Sequence, residues 1–194
     1  ASLRFVSALN LQKDGYGKYQ DLFSKDVLEN EKKKRSERMK SGEYQTAILA
    51  GGCFWGMEDI LRKEPGVTET EVGYTGGLTQ NPKYPDVKTG KTGHAEAIRV
   101  EFDPKKTSYR KILELFFKMH DPTTLNRQGN DLGSQYRSAI FYLDDEQKKI
   151  AEEVKKQVDA SKKWQRPVVT EITKASTFYP AEDYHQDYLV KNPG

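Results

Sequence analysis

A single cysteine, Cys53, stands where the local sequence could make its thiol reactive. It follows a short apolar run at residues 47–50, which is typical of a buried strand, and then Gly51 and Gly52. Apolar residues at helical spacing come after it, so the pattern places the thiol at a helix N-terminus, where free backbone N–H groups favour a thiolate. The sequence therefore predicts a nucleophile, although a lone cysteine is often only a small buried apolar residue.

The spacing around the cysteine excludes two other kinds of thiol chemistry. A phosphatase-type loop needs an arginine six residues later, where Asp59 stands, and a thioredoxin-type pair needs a second cysteine where Gly56 stands. A cysteine hydrolase with His94 or His185 as base stays open, because sequence alone does not place either ring against the thiol. Such an enzyme would form an acyl-enzyme and leave the sulfur's redox state unchanged.

Aromatic, acidic and phenolic side chains are the candidates to assist the thiol. Phe54 and Trp55 follow it directly. Adjacent aromatics on a helix point in different directions, so at least one should face the same side as the thiol and form an apolar surface for a methyl or methylene group of the substrate. Glu96 begins a predicted strand, and a carboxyl buried near aromatics has a raised pKa and can donate a proton. Tyr84 and Tyr136 lie in loop-like segments and could donate hydrogen bonds. Core packing of Phe54 and a solvated strand edge for Glu96 are the simpler alternatives.

Composition and charge exclude several functional classes. The 194 residues carry 32 Lys and Arg against 29 Asp and Glu, a net charge of +3. The excess lies entirely in residues 1–45, mainly in the basic run 32–35, which acidic residues flank, so a solvated surface is favoured over a polyanion-binding patch. No run of about 18 apolar residues predicts a membrane helix. One cysteine and three unclustered histidines predict neither an internal disulfide nor a metal site.

The chain is expected to fold as one domain behind a polar extension. Residues 1–44 are predicted to be a basic N-terminal extension or linker, with a short amphipathic helix at residues 22–28. Residues 45–194 are predicted to be the catalytic domain. In the domain, strand and helix patterns are interleaved without a strict βαβ rhythm. We therefore expect an α/β (α+β) two-layer sandwich, a mixed β-sheet with helices packed on it around a ferredoxin-like core.

The residues around Cys53 resemble the hallmark of an enzyme family. Gly52-Cys53-Phe54-Trp55-Gly56 is similar to the GCFWG motif of peptide methionine sulfoxide reductase A (MsrA). Further stretches resemble the family in the same order: GYTGG (73–77), NPKY (81–84), GHAE (93–96), HDP (120–122), QGND (128–131), QYRS (135–138), FYPAEDYHQ (178–186) and KNP (191–193). The resemblance covers about residues 45–194.

The resemblance implies the reduction of methionine-S-sulfoxide, free or in proteins, and hence repair of oxidised proteins. By that analogy Cys53 attacks the sulfoxide sulfur, Glu96 protonates the sulfoxide oxygen, and the cysteine becomes a sulfenic acid. The family implies no cofactor beyond an external thiol reductant such as thioredoxin.

The same analogy assigns the substrate-binding residues. Phe54 and Trp55 would enclose the S-methyl group, and Tyr84 and Tyr136 would hydrogen-bond the oxygen. Asp131 would order the polar side of the pocket. Methyl and oxygen could not exchange places without leaving donors unpaired, which implies stereoselectivity.

Many members of the family carry a resolving cysteine shortly after an Asn-Pro-x-Gly stretch, and the sequence stops at Asn192-Pro193-Gly194. A longer chain, a one-cysteine form reduced directly by thioredoxin, glutaredoxin or a small thiol, and a domain fused to a B-type reductase are three alternatives. We expect a cytoplasmic enzyme, with a periplasmic or exported form as the alternative, that binds neither nucleic acid nor membranes. A module that binds oxidised methionine without turnover is a rival from another class.

Overall fold

The computed structural model describes residues 41–193 continuously, and before them Asn30, Lys33, Lys34, Glu37, Arg38 and Lys40. Thr46–Gly194 forms a compact unit of its own. Most of the predicted extension, including the helix expected at residues 22–28, lies outside the described residues. The division of the chain into an extension and a catalytic domain therefore stays a prediction.

Strands and helices alternate through the unit, and short elements lie in its loops. In chain order the elements are β1 (Gln45–Gly51), α1 (Phe54–Lys63), β2 (Val67–Thr75), α2 (Tyr84–Lys88), β3 (Ala95–Phe102), α3 (Tyr109–Lys118), β4 (Arg127–Gln128), β5 (Asp131–Leu132), β6 (Ser138–Tyr142), α4 (Asp145–Ala160), β7 (Glu171–Lys174), β8 (Tyr179–Pro180) and α5 (Tyr188–Lys191). Two 3₁₀ turns, Ser134–Tyr136 and Asp183–His185, complete them.

The main sheet is mixed, as predicted. Its strand order is β7-β6-β1-β3-β2-β8. The pairs β1–β6, β2–β3 and β2–β8 are antiparallel, whereas β6 and β7 are parallel. The segment β1-α1-β2-β3-α3-β6 has the order β6-β1-β3-β2 in the sheet, which is the βαββαβ arrangement of a ferredoxin-like core. The predicted fold class is confirmed.

The core lies mainly on the face of the sheet that the helices cover. Successive strand residues point to opposite faces, so Leu49 joins the large cluster with Leu61 of α1 and Leu113 of α3. Its neighbour Ile48 joins a smaller cluster built from strand residues such as Phe141. Because β1 is buried on both faces, its sequence is a continuous apolar run rather than an alternation of apolar and polar residues.

Two loops of the unit contain short elements. In the loop between β2 and β3, α2 starts where the N–H of Lys83 donates to the Asp86 carboxylate at 3.2 Å, with Pro85 in the first turn. The loop after α3 contains the β4–β5 hairpin, which turns at Gly129 with φ of +57°. Elements this short carry too little hydrophobic periodicity to be recognised in the sequence.

Strand β8 approaches the edge of β2 at a glycine. Gly73 lies opposite Pro180, and a Cβ there would lie 2.5 Å from both the ring of Phe178 and the carbonyl oxygen of Tyr179. The chain that follows β8 supplies much of the site described below. Close packing at Gly73 therefore positions that segment.

We predict that Gly73→Ala destabilises the domain by about 1–3 kcal/mol, since the added methyl overpacks the contact with β8. Urea unfolding of the variant measures the change. Gly56→Ala on α1 is the matched control, because a Cβ there meets nothing within 4 Å, and its stability should stay within about 1 kcal/mol of wild type. Equal stability of the two variants would contradict the packing described.

Candidate active site

The turn between β1 and α1 presents the thiol. Cys53 is the N-cap residue of α1, with φ of −56° and ψ of 120°, and it is half-buried. Gly52 before it has φ of +104°, and a Cβ there would lie 2.6 Å from Cγ of Gln128 in the β4–β5 hairpin. Only glycine suits both the left-handed backbone and the close approach. The hairpin therefore packs against the residue that precedes the thiol.

The thiol's electrostatics differ from the prediction. Burial raises the pKa of Cys53 above its ordinary value, and the nearby carboxylates of Glu96 and Asp131 raise it further. The backbone N–H groups of Trp55 and Gly56 lower the pKa, as expected at a helix start, but their effect is smaller. The prediction that the helix N-terminus favours a thiolate is therefore wrong, because the raised pKa keeps the proton on the thiol at neutral pH.

Glu96 is buried in the middle of the sheet. It lies on β3 opposite Tyr74 of β2, only 3% exposed, and its Oε2 accepts the N–H of Phe54 at 3.2 Å. Burial raises the pKa of Glu96 to about 7, against that hydrogen bond and helped by the charge of Asp131. The solvated-edge alternative is wrong, because β3 is a central strand. The carboxyl can hold a proton at neutral pH and release it.

Both aromatic residues after the cysteine contact one histidine. The ring of Phe54, which is buried, lies 5.9 Å from Tyr74 and 5.2 Å from His185 between centroids. Trp55 donates its indole N–H to Nδ1 of His185 at 2.9 Å. Its ring stacks on Tyr188 at 3.7 Å, with the planes 8° apart. The indole is therefore held at its edge and on one face, and its polar atom is occupied.

Two phenols and one exposed carboxylate complete the set. Burial raises the pKa of Tyr84, and the charges of Glu96 and Cys53 add to this. Burial also raises the pKa of Tyr136 to about 12, again with help from Glu96. Asp131 lies exposed on β5, and its charge acts on the thiol, on Glu96 and on both phenols. The structure thus brings all the predicted site residues together.

Two acceptors near the site make contacts that the sequence does not predict. Glu182 accepts the hydroxyl of Tyr74 and the N–H of Tyr84, both at 2.8 Å. Burial lowers the pKa of His185, so its ring is neutral. Because Nδ1 accepts the indole N–H, the ring proton is on Nε2, 3.8 Å from the Glu182 carboxylate. Both residues lie in the stretch 181–186, which carries the family resemblance but has no spacing that indicates a role.

The histidines that could serve a hydrolase have other partners. Nδ1 of His94 accepts the N–H of Gly77 at 3.0 Å, and its Nε2 donates to the carbonyl of Thr79 at 2.8 Å. His185 is bound to the indole. Neither ring is therefore placed as a general base for Cys53.

Within residues 41–193 and the few described before them, no group of three His, Cys, Asp or Glu side chains is arranged to hold a metal ion. No helix in that same part of the chain is both long and apolar enough to cross a membrane.

Known proteins are similar to this chain in sequence. Residues 45–194 match the family model of peptide methionine sulfoxide reductase. The peptide methionine sulfoxide reductase MsrA of Nocardia farcinica is 58% identical over 151 residues, which are 78% of this chain and 86% of that protein.

Solved structures of a yeast protein are also similar. The crystal structure of Mxr1 from Saccharomyces cerevisiae in reduced form has a TM-score of 0.74 and 37% identity, over 78% of this chain and 87% of that one. The crystal structure of Mxr1 in complex with Trx2 has a TM-score of 0.54 and 26% identity, over 76% and 86%. With a family model matched over residues 45–194 and a relative 58% identical, the chain belongs to the peptide methionine sulfoxide reductase A family of oxidoreductases.

Proposed function

We propose that the protein reduces methionine-S-sulfoxide, free or in oxidised proteins, with Cys53 as the nucleophile and Glu96 as the proton donor. The hydrogen bond from the N–H of Phe54 to Glu96, at 3.2 Å, carries the proposal. Because Phe54 directly follows Cys53, this contact holds a buried acid beside the thiol. A nucleophile and an acid at one apolar wall are the groups that sulfoxide reduction needs.

The reaction transfers the sulfoxide oxygen to the thiol. The Cys53 thiolate attacks the sulfoxide sulfur and forms an S–S bond while Glu96 donates its proton to the oxygen, and the S–O bond breaks to release hydroxide. The hydroxide then attacks the Cys53 sulfur, and the S–S bond breaks. Methionine leaves as the thioether, reduced by two electrons, and Cys53 becomes a sulfenic acid, oxidised by two. Protonation matters because an unprotonated oxide ion is a poor leaving group.

The thiol and the acid share one proton during attack. A thiolate with a neutral carboxyl carries the same number of protons as a thiol with a carboxylate, so moving one proton from sulfur to Glu96 prepares both groups at once. That transfer also removes the carboxylate charge that raises the pKa of Cys53. The raised pKa values of both groups therefore serve the chemistry.

The walls of the site recognise the two ends of the sulfoxide. Tyr84 and Tyr136 keep their protons, since the pKa of each is raised, and they donate to the oxygen. Phe54 and Trp55 enclose the methyl group, and the indole presents only carbon because its N–H is bound to His185. In the opposite epimer the oxygen would meet these rings and leave the phenols unpaired, which selects the S form.

An external thiol completes the cycle. Two thiols reduce the sulfenic acid to the Cys53 thiol, giving a disulfide and water. Cys53 is the only cysteine in residues 1–194, and the complex of the similar Mxr1 with Trx2 supports a thioredoxin as the reductant. A free thiol with such a partner suits a reducing compartment, and we propose the cytoplasm.

We predict that Cys53→Ser abolishes reduction, because a hydroxyl is far less nucleophilic towards sulfur at neutral pH. Without reductant, the wild-type protein should release one equivalent of methionine from methionine-S-sulfoxide and gain a dimedone-reactive sulfenic acid, as seen by mass spectrometry. The serine variant should do neither. Turnover by that variant would refute the proposal, and a wild-type protein that binds the sulfoxide without releasing methionine would be a binding module.

We predict that Glu96→Gln slows single-turnover oxidation of Cys53 about 10²–10⁴-fold, the usual loss of a general acid. The fold should be intact, because the amide oxygen still accepts the N–H of Phe54, and circular dichroism checks this. A rate equal to wild type at neutral pH would show that another group supplies the proton.

The pH dependence of the same rate reports the shared proton. Below pH 7 both groups are protonated and the wild-type rate at low substrate concentration should fall. It should rise through the pKa of Glu96, about 7, and decline again only when the Cys53 thiol loses its proton in the alkaline range. In Glu96→Gln only the thiol titrates, so the rise should move to higher pH. A rise at the same pH in both proteins would contradict the shared-proton mechanism.

A further inference from the structure

Glu58 is a buried carboxylate on α1 that the proposed chemistry does not use. It is 1% exposed, and each of its oxygens accepts one hydrogen bond. Oε1 accepts the hydroxyl of Thr70 on β2 at 3.0 Å, and Oε2 accepts the backbone N–H of Asp187 at 2.9 Å. Burial raises the pKa of Glu58 to about 7, and the Asp187 carboxylate adds to this. The side chain thus joins α1, β2 and the C-terminal segment at one point.

The residue that Glu58 binds has an unusual backbone conformation. Asp187 has φ of +53° and ψ of 37°, the left-handed region, immediately before α5. For a residue other than glycine this conformation is strained and persists only where surrounding contacts hold it. Two side chains of α1 hold it: Glu58 at its N–H, and Arg62, whose Nη1 donates to Oδ1 at 2.9 Å. Without Glu58, the strained backbone loses one of these two contacts.

This conformation determines where the next residue lies. Tyr188 follows Asp187 and stacks on Trp55 at 3.7 Å. Trp55, Glu58 and Arg62 are spaced i, i+3 and i+7 and so share one face of α1. The indole that Tyr188 covers and the carboxylate that holds its neighbour are therefore one helical turn apart.

We propose that Glu58 is a positioning residue that holds the Trp55 indole in its place in the site. Its hydrogen bond to the backbone N–H of Asp187 keeps Tyr188 stacked on the indole. The inference rests on the proposed function, in which Trp55 encloses the substrate methyl. Loss of the Glu58 contacts releases the stack and weakens substrate binding. It leaves the reacting groups in place, because the hydrogen bond between Phe54 and Glu96 does not involve this segment.

The test compares Glu58→Ala with Glu58→Gln in single turnovers of the full chain. Cys53 is oxidised by a peptide containing methionine-S-sulfoxide at several concentrations, without reductant. In the alanine variant the half-saturating concentration should rise about tenfold, with the limiting rate within about threefold of wild type. The glutamine variant should behave as wild type, because its oxygen can accept the N–H of Asp187 and its amide can donate to Thr70.

Fluorescence of the indole gives a second reading. The chain has two tryptophans, so Trp164→Phe isolates the signal of Trp55. Unstacking exposes the ring, and emission should shift to longer wavelength in Glu58→Ala and stay unchanged in Glu58→Gln. Wild-type emission and wild-type half-saturation in Glu58→Ala would overturn the proposal.

Gln147→Ala is the matched control for a general loss of stability. Gln147 is 8% exposed, and its amide donates to the carbonyl of Thr46 at 2.7 Å and accepts the N–H of Leu143 at 2.9 Å. Thr46 is at the far end of β1, roughly 16 Å from Gly51. The control variant should lose stability yet keep wild-type half-saturation and emission. The same kinetic and spectral changes in both alanine variants would overturn the proposal.

If Glu58→Ala does not fold, Glu58→Asp replaces it. The aspartate keeps the charge but is one methylene shorter, so it loses contact with Asp187 and should raise the half-saturating concentration. Wild-type values in that variant would contradict the positioning role. A wild-type protein that forms no Cys53 sulfenic acid would instead refute the proposed function, and the emission of Trp55 would still test the role of Glu58.

Discussion

The hydrogen bond from the N–H of Phe54 to the Glu96 carboxylate joins the start of α1 to the centre of the sheet. The first N–H groups of a helix have no partner within it, and a buried carboxylate needs a donor. The N–H of Phe54 and the Glu96 carboxylate therefore supply each other's hydrogen-bond partner. Because Cys53 precedes Phe54, the contact also sets the distance between thiol and acid, and the remaining side chains of the site are arranged around that pair.

Burial decides the protonation of this pair. A helix N-terminus favours a thiolate, but here burial and neighbouring carboxylates outweigh it, and the pKa of Cys53 is raised. The same burial raises the pKa of Glu96. The site thus keeps a proton between two groups that both resist ionisation. Reactivity then depends on where that proton is rather than on a thiolate that is permanently present.

Local patterns in the sequence predict the local parts of the site. The apolar run, the glycine pair and the helical spacing predicted the turn at Cys53, since each is set by neighbouring residues. The burial of Glu96 depends on β3 being a central strand, which no local pattern reports. The indole of Trp55 meets His185 130 residues away, and Glu58 meets Asp187 129 residues away. Contacts of this length follow from the packing of α1 against the C-terminal segment, so no local pattern in the sequence indicates them.

The proposed chemistry requires that Glu96 hold its proton near neutral pH beside the thiol. Carbon-13 NMR of carboxyl-labelled protein, with Glu96→Gln to assign the resonance, measures this directly. We expect the Glu96 carboxyl to titrate at about pH 7. Titration near the ordinary glutamate value of about 4.3 would contradict it, because the carboxyl would then have no proton to donate at the pH where the enzyme works.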